Sequence, residues 1–262
     1  MDYSAIKALL LDMDGVVWRG SSPLGDLASI FRSLSERGYL VGFATNNATA
    51  TVQAVQAKLA GFGVQAPLET IMTSSVATAS YLKEKFPQGG DVYVVGEEGL
   101  KAPLAEAGFP HQEASAHYVS VVVGLDRQFT YEKLKRANQI IRQGVLFVAS
   151  NPDKTFPAPN GLVPGAGSVV AAVETASETA PVIIGKPSST LFDILMQRLH
   201  VSPENVLVVG DRYDTDILGG MNAKCRTALV LSGVTTREQA EQYRPAPDVI
   251  ADDLTALIGR LP

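Results

Sequence analysis

Apolar residues along this chain fall into short unbroken runs separated by longer amphipathic stretches. Ala8-Leu9-Leu10-Leu11 carries no polar position, and Leu40-Val41-Gly42-Phe43-Ala44 follows a helix-like segment from Leu27 to Arg37. Similar runs recur at Asp91 to Val95, Tyr118 to Val123, Val145 to Ala149, Val182 to Ile184, Val206 to Val209 and Thr227 to Leu231. A strand without polar alternation is buried on both faces, which predicts a parallel sheet covered by helices. Alternation of strand and helix along the whole chain gives the α/β class, whereas strand order is not legible from the pattern.

Polar, chemistry-bearing residues follow the strands only near the two ends of the chain. The middle has its own strand–helix pattern but few such residues, and its landmark is the loop Asn151 to Gly167, dense in Pro and Gly. One long sheet with loops fits this distribution. A core of residues 1–78 and 184–262 interrupted by an inserted α/β domain at 79–183 fits it better.

Composition narrows the classes. A chain of 262 residues, 46% hydrophobic and 19% charged, is ordinary for a soluble globular protein of one large or two smaller domains. The net charge of −5, with no Lys/Arg cluster, argues against nucleic acid or an anionic membrane as partner. The single Cys225 excludes an internal disulfide and fits a reducing cytosol. No apolar run approaches the ~20 residues that span a bilayer. Met1 to Lys7 holds one basic residue, and the apolar run after it ends in acids, unlike a secretory signal. The expected compartment is the cytoplasm.

Four places carry candidate chemistry. In Leu11-Asp12-Met13-Asp14-Gly15 an apolar strand delivers two carboxylates at its carboxyl end, where open α/β sheets bind ligands. Asp12 and Asp14, two apart in extended chain, face the same way, and Gly15 lets the backbone turn sharply. A second polar group, Thr45-Asn46-Asn47, also follows a strand and suits a phosphate cradle; a helix cap accounts equally for Thr45 or Asn47. Lys186, between Gly185 and Pro187, suits a fixed positive charge, although an ordinary surface lysine stays open. Val209-Gly210-Asp211 brings a third acid from another strand, with Asp216 five residues on and Asp214 better suited to capping a helix. Hard carboxylate oxygens from separate strands suit Mg²⁺, and the set together describes phosphoryl transfer.

At these residues the chain resembles the haloacid dehalogenase superfamily over essentially its full length. Asp12–Gly15, Thr45-Asn46, Lys186 and Gly210-Asp211 with Asp216 match its four motifs in order and spacing. Asn151-Pro152-Asp153, Pro164-Gly165-Ala166-Gly167-Ser168 and Gly185-Lys186-Pro187-Ser188 resemble the subgroup of NagD-like, p-nitrophenyl phosphate, phosphoglycolate and pyridoxal phosphate phosphatases. The resemblance implies a Rossmann-like doubly wound parallel-sheet core with a large inserted cap. It implies a phosphatase with Asp12 as nucleophile and Asp14 as general acid and base. It also implies Lys186 as the neutralising charge, and Gly15, Thr45, Asn46 and Asn47 around the phosphate. Mg²⁺ would be bound by Asp12, the Asp14 backbone carbonyl and Asp211, with Asp216 supporting it directly or through water. Asn151 and Asp153 would lie in the cap, as substrate-selecting residues or simple turn formers. Dehalogenases of this superfamily lack the second acid, so Asp14 favours phosphatase chemistry. A phosphotransferase or mutase on the same core, and a non-catalytic phosphometabolite-binding protein, are the alternatives. The implied partner is a small phosphorylated metabolite: phosphoglycolate, glycerol phosphate, pyridoxal phosphate, a sugar phosphate or a nucleotide. Family members associate through the cap, so a homodimer is open. His111, His117 and His200 lack metal-ligand spacing, and Trp18 reads as packing.

Overall fold

All four residues of the strand Ala8–Leu11 are fully buried inside a six-stranded sheet of the computed structural model, which describes residues 3–158 and 161–262. The sheet runs in the order Val249–Ala251, Arg226–Val230, Val206–Gly210, Ala8–Leu11, Leu40–Thr45, Ile71–Thr73. The ladders joining the first five of these are parallel. From Ala8–Leu11 the chain first winds outward through Leu40–Thr45 and later returns on the opposite side as Val206–Gly210. Strand order therefore reverses at Ala8–Leu11, and the crevice beyond its carboxyl end is the natural ligand position of such a sheet. The sequence pattern did not reveal the three-residue strands Ile71–Thr73 and Val249–Ala251.

Helices cover this sheet for local reasons. Leu27–Glu36 starts where the Asp26 side chain accepts from the Ser29 N–H, and buries Leu27, Ile30 and Leu34 along one stripe. Thr190–Leu199 buries Leu191, Phe192, Leu195 and Met196, each large side chain contributing about 1.5–3 kcal/mol. Gly42 allows that contact: a methyl there would stand 2.9 Å from Leu10 Cδ2 and 3.0 Å from Leu195 Cδ2 and Leu199 Cδ1.

The chain divides into two compact units, one of residues 1–45, 52–72 and 186–262, the other of residues 46–51 and 73–185. The second contains a parallel four-stranded sheet ordered Val182–Ile183, Leu146–Ala149, Tyr118–Val123, Asp91–Val95. Helix Tyr131–Ile141, capped by Thr130, joins Val121, Val123, Phe147 and Val173 in its core. The limits of this unit differ from 79–183. Residues 46–51 and 73–78 pack with it because buried Ser74 Oγ donates 2.8 Å to the Asn46 carbonyl and Ser75 Oγ donates 3.2 Å to that of Ala48. The expected loop from Asn151 to Gly167 is instead largely ordered: Thr155–Ala158 pairs antiparallel with Gly161–Pro164, and a helix begins at Ala166. Residues 159–160 of that stretch lie outside the described residues.

Candidate active site

The first unit holds Asp12, Asp14, Gly15, Thr45, Lys186, Asp211 and Asp216. Asp12 is the first residue beyond Ala8–Leu11, and its N–H donates 2.8 Å to the Val209 carbonyl of the neighbouring strand. That neighbour, Val206–Gly210, delivers Asp211 beside it. Carboxylate oxygens of Asp12, Asp211 and Asp216 lie within 4.8 Å of one another. Lys186 is 2% exposed, so the surface-lysine reading does not hold. Its Nζ donates 2.5 Å to Asp12 Oδ1, 2.6 Å to Asp216 Oδ1 and 3.0 Å to the Ala44 carbonyl, using all three ammonium protons.

Three carboxylates and one ammonium sum to −3 + 1 = −2, inside a buried cluster. Burial would lower the Lys186 pKa, but the Asp12 and Asp216 carboxylates outweigh it and hold the ammonium charged. The excess negative charge falls on the acids. Burial pushes the Asp12 carboxyl well above its usual range, opposed by Lys186 and reinforced by the other two acids. Burial, then Asp216, push Asp211 up to about 6. A hard divalent cation matches both the residual charge and the donor chemistry of this cluster. Asp216 is the least available donor: Oδ1 accepts from Lys186 and Oδ2 accepts 3.0 Å from the Arg212 N–H.

Glycines let the cluster close. Gly15 has φ +87, and a methyl there would lie 2.5 Å from Asp211 Oδ2. A methyl on Gly233 would overlap the Asp211 side chain outright. The segment around Gly233 also orients that acid: Val234 N–H donates 2.7 Å to Asp211 Oδ2, while Ser232 Oγ donates 2.7 Å to the Gly15 carbonyl and Arg19 donates to that of Ser232. Sequence reasoning missed Ser232 and Gly233. Their only signal was a polar Ser-Gly pair after an apolar strand, the same signature that marks the strand ends bearing Asp12 and Asp211.

Asp14 is exposed, and its Oδ1 accepts 2.9 Å from the Trp18 indole N–H. Lys58 Nζ lies 3.9 Å from the centroid of that ring, and burial lowers its pKa while Asp14 opposes the shift. Asp214 does not hold the expected cap position: Arg212 holds that of the turn Tyr213–Ile217, and Asp214 pairs with its guanidinium at 3.3 Å. Thr45 is buried at the carboxyl end of Leu40–Thr45.

The second unit holds Asn46, Asn47, Asn151 and Asp153. Buried Asn151 donates 2.9 Å to the Asn46 carbonyl and accepts 3.2 Å from the Asp153 N–H. Asn46 Nδ2 donates 3.1 Å to Asp153 Oδ1, closing a ring of three residues through side-chain and backbone groups. Asn47 Oδ1 accepts from Thr49 N–H at 2.8 Å and Thr49 Oγ1 at 2.7 Å, a local turn. The Gly165-Ala166-Gly167 segment packs closely on the preceding chain: Gly167 N–H donates 2.8 Å to the Asp153 carbonyl, and a methyl on Gly167 would overlap the Pro152 carbonyl oxygen.

Comparisons with known proteins identify the family. A model described as Haloacid dehalogenase-like hydrolase matches residues 9–110, and one described as HAD-hydrolase-like matches residues 183–257. The 5'-nucleotidase YutF of Bacillus subtilis is 36% identical over 252 residues, covering 96% of this chain and 97% of that protein. An acid sugar phosphatase of Staphylococcus aureus is 36% identical over 255 residues, covering 97% and 98%. Among solved structures, p-nitrophenyl phosphatase from Archaeoglobus fulgidus superposes with a TM-score of 0.91 at 31% identity, covering 98% and 99% of the two chains. NagD from E. coli K-12 gives 0.86 at 30% identity, covering 95% and 97%.

Proposed function

The chain belongs to the haloacid dehalogenase-like hydrolases, in the NagD-like subgroup, and from that premise we propose that it is a Mg²⁺-dependent phosphatase forming a phospho-aspartate on Asp12. The observation that carries this reading is the buried Asp12–Lys186–Asp216–Asp211 cluster at the strand-order reversal, with its residual charge of −2. A carboxylate oxygen of Asp12 attacks phosphorus as the bond to the leaving oxygen breaks, and Asp14 gives that oxygen its proton. Asp14 then takes a proton from water as the water oxygen attacks phosphorus. The Asp12–phosphorus bond breaks, and inorganic phosphate leaves.

Lys186 holds the Asp12 carboxylate in place and balances the approaching dianion; Asp216 holds Lys186. Asp12, Asp211 and the Asp14 backbone carbonyl would hold Mg²⁺, with Asp216 reaching it through water. The ion would neutralise phosphoryl oxygens and developing charge. Gly15, Thr45 and Asn46 would receive the phosphate. Asn151 and Asp153, tied to Asn46, would keep that donor placed instead of reading the leaving group. The relatives' names direct the substrate panel to nucleoside 5'-monophosphates and sugar phosphates, presented in the cytoplasm. Among the described residues no helix is long and apolar enough to cross a membrane.

The test is p-nitrophenyl phosphate hydrolysis. Turnover should require Mg²⁺, stop with EDTA, and fall at least about 1,000-fold in Asp12→Asn, with inorganic phosphate released in the absence of any acceptor. Undiminished turnover in Asp12→Asn would remove the nucleophile assignment. Release only when an acceptor sugar is added would make the protein a phosphotransferase.

A further inference from the structure

Trp18 is an unusual neighbour for a catalytic acid, because its indole has a single polar atom and that atom is spent on Asp14. We propose that Trp18 is a positioning residue for the Asp14 carboxyl, holding it in the orientation from which it protonates the leaving oxygen. The inference rests on the reading of Asp14 as general acid.

The two partners differ sharply in freedom. Asp14 is exposed, and among the described residues no hydrogen bond to its carboxyl other than that from Trp18 Nε1 is present. An exposed aspartate with no such bond samples several staggered χ1 wells. Trp18, 3% exposed, is held on all sides. Its N–H donates 3.1 Å to the Met13 carbonyl, and its carbonyl accepts 2.7 Å from Gly15, so its backbone brackets Asp14 itself. The ring packs tilted against Phe62 at 6.1 Å between centroids. The Lys58 ammonium covers its face and is itself anchored 2.9 Å from the Gly20 carbonyl. An immobile ring with a donor-only N–H thus imposes its own position on a free carboxylate. The Lys58 cation sits over the ring face and not on the carboxyl, so Asp14 is left able to exchange its proton with substrate.

The functional consequence depends on the ester. General acid catalysis contributes on the order of 10²–10⁴-fold where the leaving oxygen must be protonated, and little where it departs as a stable anion. An acid misplaced by about 1 Å loses on the order of 100-fold. Glycerol phosphate has a poor alkoxide leaving group, and p-nitrophenyl phosphate a good one. In Trp18→Phe, which keeps an aromatic face for Lys58 and Phe62 but lacks the N–H, kcat/KM for glycerol phosphate relative to p-nitrophenyl phosphate should fall about tenfold or more. The parameter kcat/KM reports the steps up to and including the first irreversible one, so dephosphorylation of the enzyme does not enter it, and the ratio cancels any loss of folded protein. An unchanged ratio would overturn the proposal. Asp14→Asn is the control. If it leaves the ratio unchanged, the general-acid reading fails; if it lowers the ratio while Trp18→Phe does not, the positioning role alone fails. A second measurement needs no Trp18 variant. The chain has one tryptophan, so its indole N–H gives one resonance in ¹⁵N-labelled protein. Asp14→Ala should shift that resonance and speed its proton exchange at least tenfold. The same shift and exchange rate in both proteins would show that the bond is absent in solution and overturn the proposal.

Discussion

Lys186→Met isolates the one positive charge in the buried cluster at nearly constant side-chain volume. In the wild type its side chain is 3% exposed, with Asp12 at 12% and Asp216 at 2%. Removing one partner of a buried ion pair leaves an uncompensated charge and costs about 3–5 kcal/mol. Asp12 can turn partly toward water, so Asp216 bears most of that cost. For a chain of this size the loss corresponds to a fall in Tm on the order of 10 °C. The sign of its pH dependence follows from linkage. Without the ammonium, the Asp12 carboxyl loses the charge that opposes its upward shift, so its folded pKa rises further above the unfolded value of about 3.9. Stability from such groups is present below the unfolded pKa and lost as pH rises through the folded one, by about 1.4 kcal/mol per pH unit per group. The gap between variant and wild type should therefore widen from pH 5 to pH 8. Thermal melts of both proteins in EDTA, at the two pH values, measure it. A gap under about 2 °C at pH 8, or one equal at both pH values, would refute the claim that Lys186 compensates buried charge.

Two further outcomes concern Asp211. Its carboxyl, pushed by burial to about 6, ionises in the metal-free fold at a cost of up to about 3 kcal/mol, so that share of stability is present below about pH 4 and lost as pH rises through about 6. The rise in Tm on adding Mg²⁺ should accordingly grow between pH 5 and pH 7.5 and flatten in Asp211→Asn; equal rises at both pH values in the wild type would contradict the assignment. Gly233→Ala forces a methyl into the Asp211 side chain and threatens the Val234 hydrogen bond that orients it. It should lower kcat/KM about 100-fold and weaken Mg²⁺ binding, whereas wild-type kinetics would show that the segment does not position the acid.

Much of this protein is legible in one dimension because its strands are buried on both faces. An unbroken apolar run such as Ala8–Leu11 can only be central in a covered sheet, and an acid at the end of such a run is too costly to be incidental. That logic located Asp12, Asp14 and Asp211, each set by the strand before it. It gave no handle on Ser232 and Gly233, whose importance comes from Asp211, more than twenty residues away in sequence. Nor did it on Trp18, only four residues from Asp14, because the direction of an indole N–H is decided by what packs on the ring.

Most of the elements, and the chemistry at the ends of the central strands, are written in the chain itself, since backbone period and turn chemistry act over a few residues. That Lys186 spans Asp12 and Asp216, and that Asn151 serves the Asn46 carbonyl, follows from the packed fold alone. Charge compensation and hydrogen bonding fall off over a few ångströms of space, and the strand order that sets those distances comes from the packing of the whole sheet, which no local spacing encodes.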